Sequence, residues 1–119
     1  MILLTGGNGQ LGSAFRRALR DVVATDRSRL DLNQPEVLES VIAPLQPTAI
    51  INCAAFTLVE EAEWDAREAE SVNVRAVGVL AAIAASRGIP FVTFSTDFVF
   101  DGKADTPYTE SSPPNPINA

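Results

Sequence analysis

The chain has 119 residues, 46% of them hydrophobic, which is one domain's worth of sequence with enough apolar content for a buried core. Its net charge of −6 and pI near 4.5, with only nine Lys and Arg scattered along the chain, argue against a nucleic-acid or anionic-membrane surface, since phosphate neutralisation needs clustered cations. The single cysteine, Cys53, and the absence of histidine remove an internal disulfide, a Ser-His-Asp triad and most zinc sites from consideration.

A small-molecule partner is therefore expected. No apolar run is expected to reach membrane-spanning length, and the N-terminus lacks the zones of a signal peptide, so the expected location is the cytoplasm. Asp97, Asp101 and Asp105 recur every four residues without an EF-hand pattern around them, and no metal site is expected.

In chain order, the apolar run Met1 to Leu4 passes into Thr5-Gly6-Gly7-Asn8-Gly9-Gln10-Leu11-Gly12 and then into a helical pattern through Leu11, Phe15 and Leu19. That succession predicts a strand, a tight turn and a helix, the cradle of a nucleotide phosphate. Gly7, Gly9 and Gly12 spell GxGxxG, while Gly6, Gly9 and Gly12 spell GxxGxxG, so the string leaves the dinucleotide-binding subclass open. A second strand is expected from Asp21 to Asp26, and Asp26 stands 20 residues after Gly6, the interval at which a dinucleotide fold places the carboxylate for the adenosine ribose. That favours NADH. Arg27 and Arg29 follow at once, and a guanidinium there suits a 2′-phosphate, so NADPH stays open.

Leu30-Asp31-Leu32 reads as a very short third strand. Asn33 is the expected N-cap of the next helix, with Pro35 in its first turn and Pro44 and Pro47 ending it. Thr48 to Ala55 is a nearly unbroken apolar run, as expected of a strand covered on both faces, and Ala54 and Ala55 at its end leave room for a ligand against the backbone. The acidic segment Glu60 to Asp65 leads into a long helix ended by Gly88 and Pro90. Trp64 in it is expected to pack, and Asn73 is either a surface residue or an amide bridging to a neighbour. The last strand is expected over Phe91 to Asp97. Ser95, Thr96 and Asp97 then emerge at the carboxyl edge, where an open α/β sheet binds ligands, and Ser95 is grouped with the cofactor residues. Everything after Phe98 reads as loop. The expected architecture is α/β, a Rossmann-type doubly wound parallel sheet of order 3-2-1-4-5.

Taken together, Thr5 to Gly12, Asp31-Leu32, Asn52 to Thr57, Val59 to Glu63, Asn73-Val74 and Ser95-Thr96-Asp97-Phe98-Val99-Phe100-Asp101-Gly102 resemble the dTDP-4-dehydrorhamnose reductases, a branch of the extended short-chain dehydrogenase/reductase family. The resemblance runs along the whole chain, and its last stretch separates this branch from sugar-nucleotide epimerases and dehydratases. It implies that Asn8, Gly9, Gln10 and Leu11 line the pyrophosphate of NADPH or NADH, that Asp31 and Leu32 flank the adenine, and that Ala54 and Ala55 pack by the ribose and nicotinamide. It further implies that Thr57, Val59, Thr96 and Phe98 face a dTDP-4-keto sugar nucleotide, with the Thr96 hydroxyl catalytic at the C4 carbonyl. Hydride arriving at that carbon leaves charge on the ketone oxygen, which a positioned hydroxyl stabilises while an acid supplies a proton.

In the family the acid is a tyrosine followed four residues later by a lysine. The match at Asn115 to Ala119 ends one residue short of that tyrosine, and Tyr108 lacks the lysine. The expectation is an NAD(P)-binding domain over 1–119 without its substrate domain, inactive by itself and self-associating through its last strand. Phe98 stands where the family usually has tyrosine, and Cys53 where it usually has alanine. A non-catalytic nucleotide-binding protein and an epimerase or dehydratase are the alternatives.

Overall fold

Four apolar runs form one parallel sheet, β1 (Ile2–Thr5), β2 (Val22–Ala24), β3 (Ala49–Asn52) and β4 (Phe91–Thr93), in a computed structural model that describes residues 1–119. The spatial order is β2-β1-β3-β4; Leu3 pairs with Val23 on one side and Ile50 on the other, and Ile51 pairs with Val92. Helices connect successive strands: α1 (Gln10–Ala18), α2 (Leu38–Ile42), then α3 (Val59–Trp64), α4 (Arg67–Glu70) and α5 (Ala76–Arg87). This is the expected α/β Rossmann-type arrangement. The chain moves outward from β1 to β2 and then returns to the other side of β1, so a crevice opens beyond the carboxyl ends of β1 and β3.

Of the expected order 3-2-1-4-5 the structure keeps 2-1-4-5, and the outermost strand needs correction, because Leu30-Asp31-Leu32 is not a strand. The segment runs through turns, with the Arg29 and Leu30 amides on the Asp26 carbonyl and the Gln34 amide on the Asp31 carbonyl. Leu30 and Leu32 are buried all the same, so core insertion from a loop produced the apolar signal without pairing. Asn33 is not an N-cap either. Its amide donates to Asp31 Oδ1 at 3.0 Å, and a 3₁₀ turn, Pro35–Val37, leads into α2. β4 is also shorter than expected: it stops at Thr93, and Asp97–Val99 form a 3₁₀ turn.

Adjacent residues of a strand face opposite sides, and both Leu3 and Leu4 are fully buried. Leu3 and Ile50 pack with Leu38 and Ile42 of α2 and with Ala76, Leu80, Ile83 and Ala84 of α5. α1 packs against β2, and its Phe15 meets Phe94 with ring centroids 5.9 Å apart. Burial on both faces explains why β1 and β3 are apolar without alternation. Each fully buried Leu or Ile contributes about 1.5–3 kcal/mol relative to exposure.

The long helix breaks at Asp65, whose carboxylate receives the Arg67 amide and guanidinium, and then runs without interruption from Arg67 to Arg87 through a π-helical segment, Ser71–Arg75. At 21 residues and mean hydropathy 1.2 it is long and apolar enough, by length and composition, to cross a membrane, contrary to the expectation of no such run. It packs on β3, β4 and α2 through Ala76, Leu80, Ile83 and Ala84, with 28% of the apolar window buried. Trp64 also departs from expectation: it is 92% exposed and packs against nothing substantial.

Candidate functional site

The glycine cluster sits at the crevice. Gly6 has φ +66, and a Cβ there would lie 2.6 Å from Ala54 N; a Cβ on Gly12 would lie 2.1 Å from the Gly6 carbonyl oxygen. Neither is sterically possible, so these two glycines let the exit of β1, the start of α1 and the end of β3 meet. Gly7 is similarly pressed against Ala24, which leaves both glycine spellings satisfied at once. Gly9 differs. A Cβ on it would touch only the Gly6 carbonyl oxygen, at 3.4 Å, so its bare, exposed backbone serves no internal packing and leaves space for a ligand to approach.

α1 begins just past Gly9 with no side-chain cap, and its first bond runs from the Ser13 amide to the Gly9 carbonyl at 2.9 Å. The amides of Gln10, Leu11 and Gly12 therefore have no partner within the helix. The first turn carries no acid, and Arg16 and Arg17 stand in the last, so the positive end of the helix dipole is left open to an anion. Gln10 and Leu11 are exposed on this first turn, and Gly12 is buried.

A recess of about 630 Å³ opens beside the loop. Gly6, Asn8 and Gly9 form one wall, Asp26, Arg27, Asp31 and Leu32 a second, and Ala54, Ala55 and Thr57 the third. Asp26 leaves β2 with its carboxylate accepting the Ser28 hydroxyl at 2.6 Å, the Ser28 amide at 3.0 Å and the Asn8 side-chain amide at 2.9 Å. The Ser28 hydroxyl above all holds the Asp26 carboxyl below the usual carboxylate range, so it is anionic at neutral pH and can still accept from hydroxyl groups. Arg27, in the same wall, pairs with Glu68 at 3.0 Å and with Asp31 at 3.5 Å.

A second groove of about 790 Å³ lies beyond the carboxyl ends of β3 and β4 and shares Ala54, Ala55 and Thr57 with the first recess. Val59, Ser95, Thr96 and Phe98 complete it, so the residues expected at the coenzyme and those expected at the substrate adjoin across two alanines. Ala54, Ala55, Phe56 and Thr57 line both spaces, so the two are neighbours. Thr96 Oγ1 accepts the Phe98 amide at 3.2 Å, capping the turn Asp97–Val99, which fixes the hydroxyl while leaving it exposed.

Sequence reasoning missed several residues that shape this groove. Thr5, Asn52 and Thr93 stand in register on β1, β3 and β4: the Thr5 hydroxyl donates to Asn52 Oδ1, and Asn52 Nδ2 donates to Thr93 Oγ1 at 3.1 Å. A polar residue closing each apolar strand was the available signal. Asn73, left open above, clamps the loop after β3 from both sides: its Oδ1 accepts the Phe56 amide at 2.8 Å and its Nδ2 donates to the Phe56 carbonyl at 2.9 Å. Asn118 Oδ1 is buried in the groove wall without a partner. Asp101 organises the loop beyond, accepting the Tyr108 hydroxyl and the Asn115 side-chain amide at 2.8 Å each and the Lys103 amide at 3.0 Å, so Tyr108 is engaged elsewhere and lies outside the groove.

Known proteins share this arrangement. A dTDP-4-dehydrorhamnose reductase of Burkholderia thailandensis is 45% identical over 99% of this chain and 41% of its own length. Among solved structures, a dTDP-4-dehydrorhamnose reductase of Clostridium acetobutylicum superposes with TM-score 0.93 at 38% identity, over 98% of this chain and 43% of that one. A third, the Bacillus anthracis dTDP-4-dehydrorhamnose reductase in complex with NADP, gives TM-score 0.91 at 33% identity over the same shares, 98% and 43%. The chain thus spans about two fifths of the length of the relatives it matches. The family model described as the RmlD substrate binding domain matches residues 1–119, the whole chain, and the chain belongs to that family.

Proposed function

We propose that this chain is the coenzyme-binding portion of a cytoplasmic dTDP-4-dehydrorhamnose reductase, which reduces the C4 ketone of dTDP-4-dehydro-L-rhamnose to dTDP-L-rhamnose with NADPH or NADH. The observation that carries the reading is the adjacency of the two spaces: a glycine-loop recess with an anionic Asp26, joined through Ala54 and Ala55 to a groove that presents the Thr96 hydroxyl. Names of relatives at 45% and 38% identity support the same reaction class.

The coenzyme fits the residues present, since Gly9 leaves room for close approach and α1 offers free amides to a pyrophosphate. Gly9, Asn8, Gln10 and Leu11 would hold the pyrophosphate, Asp26 the ribose hydroxyls, and Asp31 and Leu32 the adenine edge. A bound nicotinamide would supply the hydride. The protein's own part is to orient the sugar by Thr57, Val59 and Phe98, and to offer the Thr96 hydroxyl to the ketone oxygen as negative charge develops there. Phe98 packs against the substrate without adding a hydroxyl of its own. In the isolated chain, Val92 and Phe94 leave the β4 edge apolar and exposed, which supports self-association.

The test uses the full-length protein with dTDP-4-dehydro-L-rhamnose, following coenzyme oxidation by absorbance and the product by mass spectrometry. Turnover should fall by about a hundredfold in Thr96→Val with coenzyme affinity kept. Coenzyme binding without any reduction of the keto sugar would favour the non-catalytic alternative and remove the reductase reading.

A further inference from the structure

Asn118 Oδ1 is the one buried side-chain oxygen or nitrogen of the chain without a hydrogen-bond partner. The Nδ2 of the same side chain donates to the Ala119 carbonyl at 3.3 Å, so the amide group is oriented and only its oxygen is free. A buried acceptor without a donor is costly, so a donor has to reach it. The two neighbouring residues narrow what that donor is. The Ala119 amide donates to Glu63 Oε1 of α3 at 2.7 Å, which sets a carboxylate on the amide directly after Asn118. Ile117, the residue before, is 72% exposed.

These observations fit one local pattern. Asparagine is among the best helix N-caps, and its side-chain oxygen accepts an amide two or three residues further on. An apolar residue just before the cap packs against the fourth helical residue, and a carboxylate at the first free amides suits the positive end of the helix dipole. An N-cap residue is itself non-helical, and residues 113–119 carry neither helix nor strand. We propose that Asn118 is the N-cap of a helix that begins at Ala119 in the full-length protein, with Glu63 pinning its first amide to α3, and that Asn118 is thereby a positioning residue for the groove. Asn118, Ala119 and Thr96 line the same groove, so the cap fixes how the first turn of that helix stands against the Thr96 hydroxyl. A sugar hydroxyl is the rival donor. It would have to uncover an oxygen that is closed off from solvent, whereas the next amides of the chain are tethered beside it.

The experiment is amide hydrogen exchange on the full-length protein and on Asn118→Ser, Asn118→Asp, Asn118→Gln and Asn118→Ala, with calorimetric coenzyme titration of the same samples. The amides two and three residues after Asn118 should be protected in the wild-type protein and exchange about fivefold faster in Asn118→Ala and Asn118→Gln. Asn118→Ser and Asn118→Asp keep a capping oxygen and should match wild type, and Glu63→Ala should quicken the Ala119 amide. Coenzyme affinity should stay the same throughout. The turnover arm rests on the reductase reading: kcat for the keto sugar should fall in Asn118→Ala and Asn118→Gln and be kept in Asn118→Ser and Asn118→Asp. Unchanged exchange in Asn118→Ala overturns the cap, as does protection that survives in Asn118→Gln and is lost in Asn118→Ser, which would give the oxygen to a ligand. An unchanged Ala119 amide in Glu63→Ala overturns the part given to Glu63. Coenzyme affinity that falls together with the protection overturns the positioning role, since a loosened fold moves both. A wild-type protein without turnover removes the reductase reading and leaves the exchange test standing.

Discussion

The glycine-loop region and the segment from Thr96 onward are held by opposite means. Around Gly6 and Gly12 the backbone itself is interlocked, with Gly6 against Ala54 and Gly12 against the Gly6 carbonyl, all on a sheet buried on both faces. Beyond Thr96 the chain has one short turn and no further helix or strand, and its order comes from polar side chains gathered on the Asp101 carboxylate, with Phe100 stacked on Tyr108 at 4.2 Å. The recess for a coenzyme is thus pre-formed by packing. The groove that presents Thr96 depends on hydrogen bonds that water can replace, so the two regions should differ in how they fail.

The sharpest way to break the first region is Gly12→Ala. The added Cβ would sit 2.1 Å from the Gly6 carbonyl oxygen, a backbone atom that cannot step aside without parting α1 from β1. A loss of about 3 kcal/mol is expected, at the upper end of overpacking effects, together with loss of coenzyme binding. Urea denaturation and calorimetric titration of the full-length variant measure both. Gly9→Ala is the informative partner: with only a 3.4 Å contact it should keep wild-type stability and lose affinity, and an equal loss of stability in the two variants would contradict the assignment of Gly9 to the ligand.

Next in size is Asn52→Ala, which tests the junction between the two regions. Removing the amide leaves the buried Thr5 hydroxyl without its acceptor and frees Thr93 on the edge strand. The expected cost is about 2 kcal/mol, the range for orphaning a buried polar group. A urea midpoint equal to wild type would show that the ladder across β1, β3 and β4 contributes nothing net.

The same division explains what could be read beforehand. Strand, turn and helix at Met1 to Leu19, and the helix stop at Gly88, rest on local signals, namely glycine placement and apolar period, and these survive folding. Leu30 to Leu32 misled because a buried loop and a short strand bury the same side chains. The place of Asp26 beside the glycine loop follows from its interval, while the pairing of Arg27 with Glu68 does not, since those residues are 41 apart in sequence. The bonds made by Asn52 and Asp101 were not legible for the same reason, and of the two readings open for Asn73 the bridging amide is the one the fold adopts, each acting through a partner that only the fold brings near. Trp64 shows the converse, a large apolar residue that the fold leaves 92% exposed.

The smallest and most local effect is a pH response of the second region. Three donors, the Lys103 amide first and then Tyr108 and Asn115, bring the Asp101 carboxyl to about 2 from an ordinary value of 3.8. Because the folded value is the lower one, the contribution of these bonds is complete above 3.8 and is lost as the pH falls through about 2. Amide exchange at Lys103, Ala104 and Asn115 should therefore quicken over that interval while the β1 amides stay protected. Asp65 titrates over the same interval through its pairing with Arg67, so acid alone does not isolate the loop. Asp101→Asn does: it replaces one acceptor oxygen with a donor and should open the loop at neutral pH and abolish the acid response there. Protection at Lys103 and Asn115 that is unchanged in this variant would mean that the Phe100–Tyr108 stack, rather than the carboxylate, orders the segment behind Thr96.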